Sequence, residues 1–155
     1  MINSIETRSD IAVLSSGGVP YDLTLDRACE ALPSALNLVK KDGVIVWVAE
    51  CSAGSGSSIF YDWMAQLGVL NKIKTEMQRR YVLGGEMTHL LLSALQKTKI
   101  ILVSSIPDYY AVGVFRLRTA RTVNTAVNSA FRLLGKSSKV LVLPAGTTVL
   151  PKLKQ

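Results

Sequence analysis

The feature that most constrains the fold of this chain is a short apolar run that ends in a glycine turn, and it occurs twice. The run Ile11 to Leu14 leads into a turn that contains Gly17-Gly18, and a helix-like segment follows. The run Val44 to Ala49 leads into the Gly/Ser-rich segment Glu50 to Ser58. Strands that end in such turns and continue into helices are typical of the ligand-binding edge of an open parallel sheet.

The rest of the chain keeps this alternation. Apolar runs predict a buried strand at Ile100 to Val103, a short edge strand at Val114 to Leu117 and a last strand at Val140 to Leu143. Amphipathic patterns predict helices over Glu86 to Gln96 and Thr122 to Leu134. We therefore expect one α/β domain over residues 1–155. It should have three layers, with a mostly parallel, Rossmann-like sheet of four or five strands and helices on both faces.

The segment between the first two strands predicts a single long helix. Asp22 or Thr24 can cap it, and apolar residues recur at helical spacing up to about Val39. Pro33 lies inside this segment and is expected to kink or divide the helix. The segment Lys40-Lys41-Asp42-Gly43 then has the composition of a helix exit.

Charge and hydropathy limit the partners of this protein. The net charge is +7, from 18 basic and 11 acidic side chains, and the basic residues are scattered without interleaved aromatics. This pattern is first of all typical of a solvated basic face; a small anionic ligand or an acidic partner surface comes next, nucleic acid comes last, and a homo-oligomer stays open. No apolar run approaches the ~20 residues of a membrane span. The polar first ten residues lack a signal region, so we expect no membrane association and a cytoplasmic location.

Catalytic and metal-binding groups are scarce, and the sequence predicts neither a catalytic residue nor a metal site. The single histidine, His89, lies among leucines on a predicted helix, and no zinc-type spacing exists. Gly54-Ser55-Gly56 begins like a dinucleotide loop, but Ile59 stands where the third glycine belongs. The glycine turns are therefore either plain tight turns, a small-anion site or a broken dinucleotide loop. Cys51 is either an ordinary thiol or a reactive one at a helix start.

Four motifs carry a resemblance to a known family. They are Ser16-Gly17-Gly18-Val19-Pro20-Tyr21-Asp22, Ala49-Glu50-Cys51 with Gly54 and Gly56, Gly84-Gly85, and Pro144-Ala145-Gly146. In order and spacing they resemble the C-terminal domain of the nickel-dependent lactate racemase family over about residues 8 to 151. The resemblance implies a small α/β domain that closes over the substrate. It also implies that an N-terminal racemase-like domain or subunit carries the nickel pincer nucleotide and the histidine bases.

This chain differs from that family at positions where the resemblance implies contact with the substrate. Lactate-binding members tend to have Tyr-Gln-x-x-Lys at the start of the first helix, where this chain has Asp26, Arg27 and Glu30. Members often have Gly-Gly-His-Lys where this chain has Glu86 and Met87 after two glycines. Both changes remove positive charge, although the fork of Arg27 suits a carboxylate. We expect substrate contacts from Gly17, Gly18, Asp22, Asp26, Arg27, Glu30, Glu50, Cys51, Gly54, Gly56, Ser57 and Glu86.

Three functions are compatible with these residues. The first is a substrate-covering domain of a lactate-racemase-like protein, which is inactive alone, has no cofactor of its own and serves a 2-hydroxy-acid racemase or epimerase. The second is a free-standing module that binds a small anion or nucleotide without catalysis. The third, a nucleotide-dependent Rossmann enzyme, fits least well because the glycine pattern is broken.

Overall fold

A computed structural model describes residues 4–149 and 152–153 of the chain. Its strands are β1 (Ser4–Ile5), β2 (Ser9–Ser15), β3 (Val39–Val48), β4 (Lys99–Val103), β5 (Arg118–Thr119), β6 (Val140–Leu143) and β7 (Lys152–Leu153). Its helices are α1 (Leu25–Ala28), α2 (Leu32–Leu36), α3 (Ser58–Asp62), α4 (Leu70–Arg79), α5 (Gly85–Lys97), α6 (Asp108–Gly113) and α7 (Val123–Leu134). A 3₁₀ turn, Cys29–Ala31, joins α1 to α2, and a π turn, Trp63–Leu67, extends α3.

The main sheet has the order β5-β4-β3-β2-β6, and every neighbouring pair is parallel. β1 and β7 form a separate parallel pair. The predicted α/β class, parallel sheet and strand number are confirmed. Because the chain steps from β2 out to β5 and then returns to lie beside β2 as β6, the strand order reverses between β2 and β6.

Helices cover the two faces of this sheet unequally. One face buries Leu14, Trp47 and Leu102 against α1, α2, α3 and α5. The other face buries Ile11 and Ile101 together with α7, whose Ala126 and Ala130 are fully buried. Because side chains alternate along each strand, the apolar residues of one run are divided between the two cores. Helices therefore lie on both faces, as predicted, but in the described chain α7 alone lies in the second core.

The predicted long helix before β3 is wrong in its extent. The helical segment begins at Leu25, breaks at the 3₁₀ turn and ends at Leu36, with Pro33 in the first turn of α2, where a missing N–H is tolerated. The predicted helix exit, residues 40–43, belongs to β3. The backbone bulges there, because Asp42 has a φ of 64° and a Cβ on Gly43 would lie 2.5 Å from a methyl group of Val39.

The predicted edge strand at Val114 to Leu117 is also wrong. Val114 caps the end of α6, and the short strand begins only at Arg118. Phe115 and Leu117 are buried in an irregular turn in which Arg116 has a φ of 59°. Alternate apolar residues are therefore buried here in an irregular turn, and their spacing in the sequence is the same as in a strand.

Among the helices of residues 4–149, none has the length and apolarity that crossing a bilayer requires.

Candidate functional site

The turns that follow β2, β3, β4 and β6 meet at one edge of the sheet, and we call them together the mouth. They span residues 16–24, 49–57, 104–107 and 144–148. Because all the strands are parallel, their carboxyl ends lie at this edge. The N–H of Cys51 donates to the carbonyl of Asp22 at 2.8 Å, and the N–H of Ser105 donates to the carbonyl of Glu50 at 2.9 Å. The hydroxyl of Thr147 donates to the carbonyl of Ser16 at 2.6 Å.

The free backbone N–H groups at the start of α1 form hydrogen bonds within the protein. The N–H groups of Leu25 and Asp26 donate to the carbonyls of Gly54 and Ser55, at 3.0 and 3.1 Å. The N–H of Arg27 donates to Oδ1 of Asp26 at 2.7 Å. These are the amides that would bind an anion at a helix start, so the second turn takes the place of a ligand at α1.

Asp26 fills the equivalent position at the start of α3. Its Oδ2 accepts the N–H of Ser57 at 2.8 Å, and its Oδ1 also accepts the hydroxyl of Thr24 at 2.5 Å. The carboxylate lies against Gly56, where an added Cβ would be 2.0 Å from Oδ1, and Gly56 has a φ of 94°. Asp26 therefore acts as a built-in anion that joins the first two turns of the mouth.

Asp22 and Glu50 meet at the junction of these turns. Oδ2 of Asp22 accepts the N–H of Glu50 at 3.3 Å. Oδ1 of Asp22 is buried and has no hydrogen-bond partner within the described chain. The Glu50 side chain is exposed, while its carbonyl also accepts the hydroxyls of Ser104 and Ser105 at 3.0 and 2.6 Å.

The thiol of Cys51 is not activated. Burial raises its pKa to about 11, and the carboxylates of Asp22, Asp26 and Glu50 act in the same direction against a hydrogen bond from Ser104. At neutral pH the side chain is a neutral thiol, which is a poor nucleophile. Moreover, Cys51 does not open a helix, because α3 begins at Ser58. The reactive interpretation of Cys51 is therefore wrong, and the ordinary one remains.

Glu86 and Ser57 come together through a third glycine turn. Oε2 of Glu86 accepts the N–H of Gly84 at 3.1 Å. A Cβ on Gly84 would lie 2.7 Å from the hydroxyl oxygen of Ser57, so the two turns touch. Ser57 itself caps α3, since its hydroxyl accepts the N–H of Phe60 at 3.2 Å.

The remaining predicted residues are placed less tightly. Gly17 and Gly18 have φ values of 102° and 77°, and Gly54 has 87°, so the left-handed backbone explains these three glycines. Arg27 and Glu30 are exposed, on α1 and on the 3₁₀ turn after it. In the described part of the chain, neither the guanidinium of Arg27 nor the carboxylate of Glu30 forms a hydrogen bond or ion pair with another predicted site residue.

A cleft of about 450 Å³ opens on one side of the mouth, beyond the carboxyl ends of β3 and β4. Its lining mixes serine hydroxyls with aromatic rings and carries no charged side chain: Cys51, Ser52, Gly54, Ser55, Tyr61, Ser105, Ile106, Pro107, Tyr110 and Phe115. Only Cys51 and Gly54 of this set were predicted. Ser52 and Ser55 lie in the same turn after β3 as Cys51 and Gly54. Tyr61 lies on α3, and the residues that come after β4 reach this edge through the pairing of β3 with β4.

A buried pair below the mouth was also missed. The indole N–H of Trp47 donates to the hydroxyl of Ser16 at 3.0 Å, and this hydroxyl donates to the carbonyl of Ala28 at 3.3 Å. Ser16 thus links β3 and α1 directly beneath Gly17. Ser16 belongs to the first motif, but nothing in the sequence distinguishes it from its neighbours.

The side chains of the described residues do not fit a metal centre. Over residues 4–149 and 152–153, no group of three or more His, Cys, Asp or Glu is placed to hold a metal ion.

Fold and site define an α/β domain with a polar crevice at the carboxyl edge of a parallel sheet. A family model described as the lactate racemase C-terminal domain matches residues 4–150. The chain belongs to this family, and the resemblance seen in its motifs is confirmed.

Known relatives and structures agree with this assignment. The chain is 27% identical over 150 residues to the lactate racemase of Thermoanaerobacterium thermosaccharolyticum, and 25% identical over 147 residues to that of Lactiplantibacillus plantarum. These matches cover 94% and 92% of this chain but only 35% of each relative. The structure of the T. thermosaccharolyticum lactate racemase apoprotein superposes with a TM-score of 0.88 at 25% identity, over 97% of this chain and 37% of that one. A protein from Thermotoga maritima shares the fold, with a TM-score of 0.62 at 14% identity over 99% of this chain and 39% of that one.

Proposed function

We propose that this chain is a single substrate-covering domain of a lactate-racemase-like protein and that it does not racemise 2-hydroxy acids alone. A second unit, which matches the remaining part of the relatives, would supply the cofactor and the catalytic bases. The family resemblance implies that this cofactor is a nickel pincer nucleotide. A cytoplasmic location belongs to the same proposal.

The observation that carries this proposal is the chemistry of the mouth. Asp26 has both carboxylate oxygens bonded to backbone amides, and Asp22 has one oxygen so bonded. Cys51 is held as a neutral thiol. The sequence has one histidine, so it cannot provide two opposed histidine bases. The mouth is built to shape and line a crevice, and proton abstraction from carbon needs a positioned base from elsewhere.

The substrate of the assembled protein should differ in charge distribution from lactate alone. Glu30 replaces a lysine of lactate-binding members, and Glu86 stands where members often have histidine. A carboxylate at either position repels the carboxylate of a small 2-hydroxy acid. We therefore propose that this domain favours a 2-hydroxy acid that also carries a cationic part, which these carboxylates would attract.

The proposal is tested by adding the missing unit. A protein from the same genome that matches the first two thirds of the relatives is purified and mixed with this chain. We expect a stable complex in analytical ultracentrifugation, and interconversion of the two enantiomers of a 2-hydroxy acid only in the mixture, followed by chiral chromatography. Racemisation by this chain alone, or full activity of the partner without any complex, would overturn the proposal.

A second candidate function rests on the uncharged cleft beside the mouth. At about 450 Å³ it falls within the range of small-molecule sites, and aromatic rings with a few hydroxyls are the usual lining of such sites. In this proposal the chain is a free-standing module for a small ligand. A ligand at a hundredfold excess over its Kd would stabilise the chain by about 2.7 kcal/mol. A thermal-shift screen of hydroxy acids, nucleotides and phosphates measures this, and a panel without any shift would exclude the second candidate.

A further inference from the structure

The excess of basic over acidic side chains lies in the last part of this chain. Residues 109–155 contain eight Lys or Arg and no Asp or Glu, whereas residues 1–108 contain ten basic and eleven acidic side chains. The whole net charge of +7 thus comes from the chain after Asp108. That segment includes β5 and β6, which are the two edge strands of the main sheet, and α7, which packs on one face of it.

Two arginines of this segment face the same groove. Arg118 begins β5, and Arg132 lies in the last turn of α7. Both line a groove of about 350 Å³ together with the hydroxyl residues Thr119 and Ser129. Ile101, the register partner of Arg118 in β4, and Leu133 add an apolar part to the lining.

Neither guanidinium is neutralised by the protein. In the described residues, Lys40, Arg79 and Arg80 form ion pairs with carboxylates within 4.0 Å, and Arg118 and Arg132 do not. Both arginines are exposed. Two like charges that line one groove repel each other, and a bound anion removes this repulsion.

Stabilisation of α7 does not account for this arrangement. A cation in the last turn of a helix is favourable, and this explains Arg132 taken alone. It does not explain Arg118, which lies on a sheet edge in a different element, or the two hydroxyl residues that line the same groove. The groove is also separate from the mouth, because α7 runs back towards the edge at which β6 begins, and Arg132 lies near that end.

We propose that the groove between β5 and α7 binds a small organic phosphate, with Arg118 and Arg132 on its phosphate group. Guanidinium forks match phosphate oxygens in pairs, and a phosphate dianion has enough charge and oxygens for two of them. The hydroxyls of Thr119 and Ser129 complete the polar part of the groove, and Ile101 and Leu133 suit an apolar part of the ligand. A groove of this size fits a small molecule, and its lining lacks the aromatic rings on which single-stranded nucleic acid stacks.

The test uses the complete chain and three probes: inorganic phosphate, pyrophosphate and AMP. Binding is measured by calorimetry at fixed ionic strength, and the site is located by ¹H–¹⁵N shifts at residues 101, 118, 119, 129 and 132. The double variant R118Q/R132Q is compared with K72Q/K74Q, which removes the same charge from exposed positions on α4. Charge-assisted hydrogen bonds of this kind change affinity by about tenfold or more each. We therefore expect R118Q/R132Q to bind at least about tenfold more weakly than both the wild type and K72Q/K74Q.

Several results would overturn the proposal. One is equal weakening in both double variants, which would mean diffuse attraction to a basic surface. Another is no binding of any probe at millimolar concentration. A third is that poly-glutamate or a single-stranded oligonucleotide occupies the groove while the small phosphates do not. If R118Q/R132Q fails to fold, Arg132→Lys keeps the charge but loses the fork, and it should weaken binding severalfold. Because binding is measured on this chain alone, failure here leaves the racemase-like proposal untouched.

Discussion

Replacement of Gly56 by alanine should destabilise this domain more than replacement of its near neighbour Gly54. Both glycines have left-handed φ values, 94° and 87°, so each substitution adds backbone strain of about 1–2 kcal/mol. The environments differ. Nothing lies within 4 Å of a Cβ added at Gly54, whereas a Cβ at Gly56 would lie 2.0 Å from a carboxylate oxygen of Asp26.

The magnitude follows from the bonds of Asp26. A methyl group at Gly56 pushes the carboxylate away from the N–H of Ser57, and loss of such a charge-assisted bond costs about 1.5–3 kcal/mol. We therefore expect Gly56→Ala to lower the free energy of unfolding by about 2.5–5 kcal/mol, and Gly54→Ala by about 1–2 kcal/mol. For a domain of this size, the first loss lowers Tm by roughly 5–20 °C.

Urea unfolding, followed by the fluorescence of Trp47 and Trp63, measures both variants under the same conditions. A double-mutant cycle with Asp26→Ala isolates the cause. In a protein that already carries Asp26→Ala, Gly56→Ala should lower the free energy of unfolding only by the backbone strain. The two changes should therefore show a coupling energy of about 1.5–3 kcal/mol. Equal losses for the two glycine variants, or an unchanged loss without Asp26, would refute this account of the mouth.

Three further predictions concern buried groups. Ser16→Ala leaves the indole N–H of Trp47 without its partner and should destabilise the domain by about 1–3 kcal/mol in urea unfolding. The thiol of Cys51, whose pKa is about 11, should react with iodoacetamide far more slowly at pH 8 than a free cysteine, and its rate should keep rising beyond pH 10. Gly85→Ala places a Cβ 2.5 Å from the ring of Trp63 without left-handed strain, and it should cost about 1–3 kcal/mol and alter near-UV circular dichroism.

The pH dependence of stability provides a control for the thiol prediction. Because the pKa of Cys51 is raised in the folded state, its contribution to stability is complete below the unfolded pKa and is lost as the pH rises towards 11. Cys51→Ser should reduce that part of the alkaline loss of stability. Fast alkylation at pH 8 would contradict the buried environment of this side chain.

Local sequence was enough to predict the sheet but not every connection. The runs at β2, β3 and β4 are apolar because helices cover both faces of the parallel sheet there, and this signal is strong. The run at β6 is also apolar, although Val140 and Val142 are exposed on this edge strand. The prediction of a helix exit at residues 40–43 was wrong because these polar residues lie in the exposed first part of a strand. A bulge at Asp42 interrupts the regular backbone there. The prediction of an edge strand at Val114 to Leu117 was wrong because the burial of Phe115 and Leu117 alone does not distinguish an extended strand from an irregular turn.

The sequence predicted the glycines of the candidate site, but it did not predict the serine and threonine hydroxyls that other turns bring to it. The left-handed backbone of Gly17 and Gly54 leaves a direct mark on the sequence, since few other residues tolerate it. Asp26 was expected to meet a ligand, but it bonds to the N–H of Ser57, and no local pattern encodes a contact across 31 residues. Ser105 and Thr147 belong to the mouth only through strand pairing, which a single sequence does not reveal.

The turn after β6, residues 144–148, determines at what stage of synthesis the mouth can form. The N–H of Gly146 donates to the carbonyl of Ser15, the hydroxyl of Ser34 donates to the carbonyl of Gly146, and Thr147 reaches Ser16 across 131 positions of sequence. On the ribosome, the first glycine turn therefore emerges long before the segment that holds it. Nascent chains that are arrested short of β6 should be unable to present a finished crevice, so ligand recognition at this edge becomes one of the last properties that the growing polypeptide acquires.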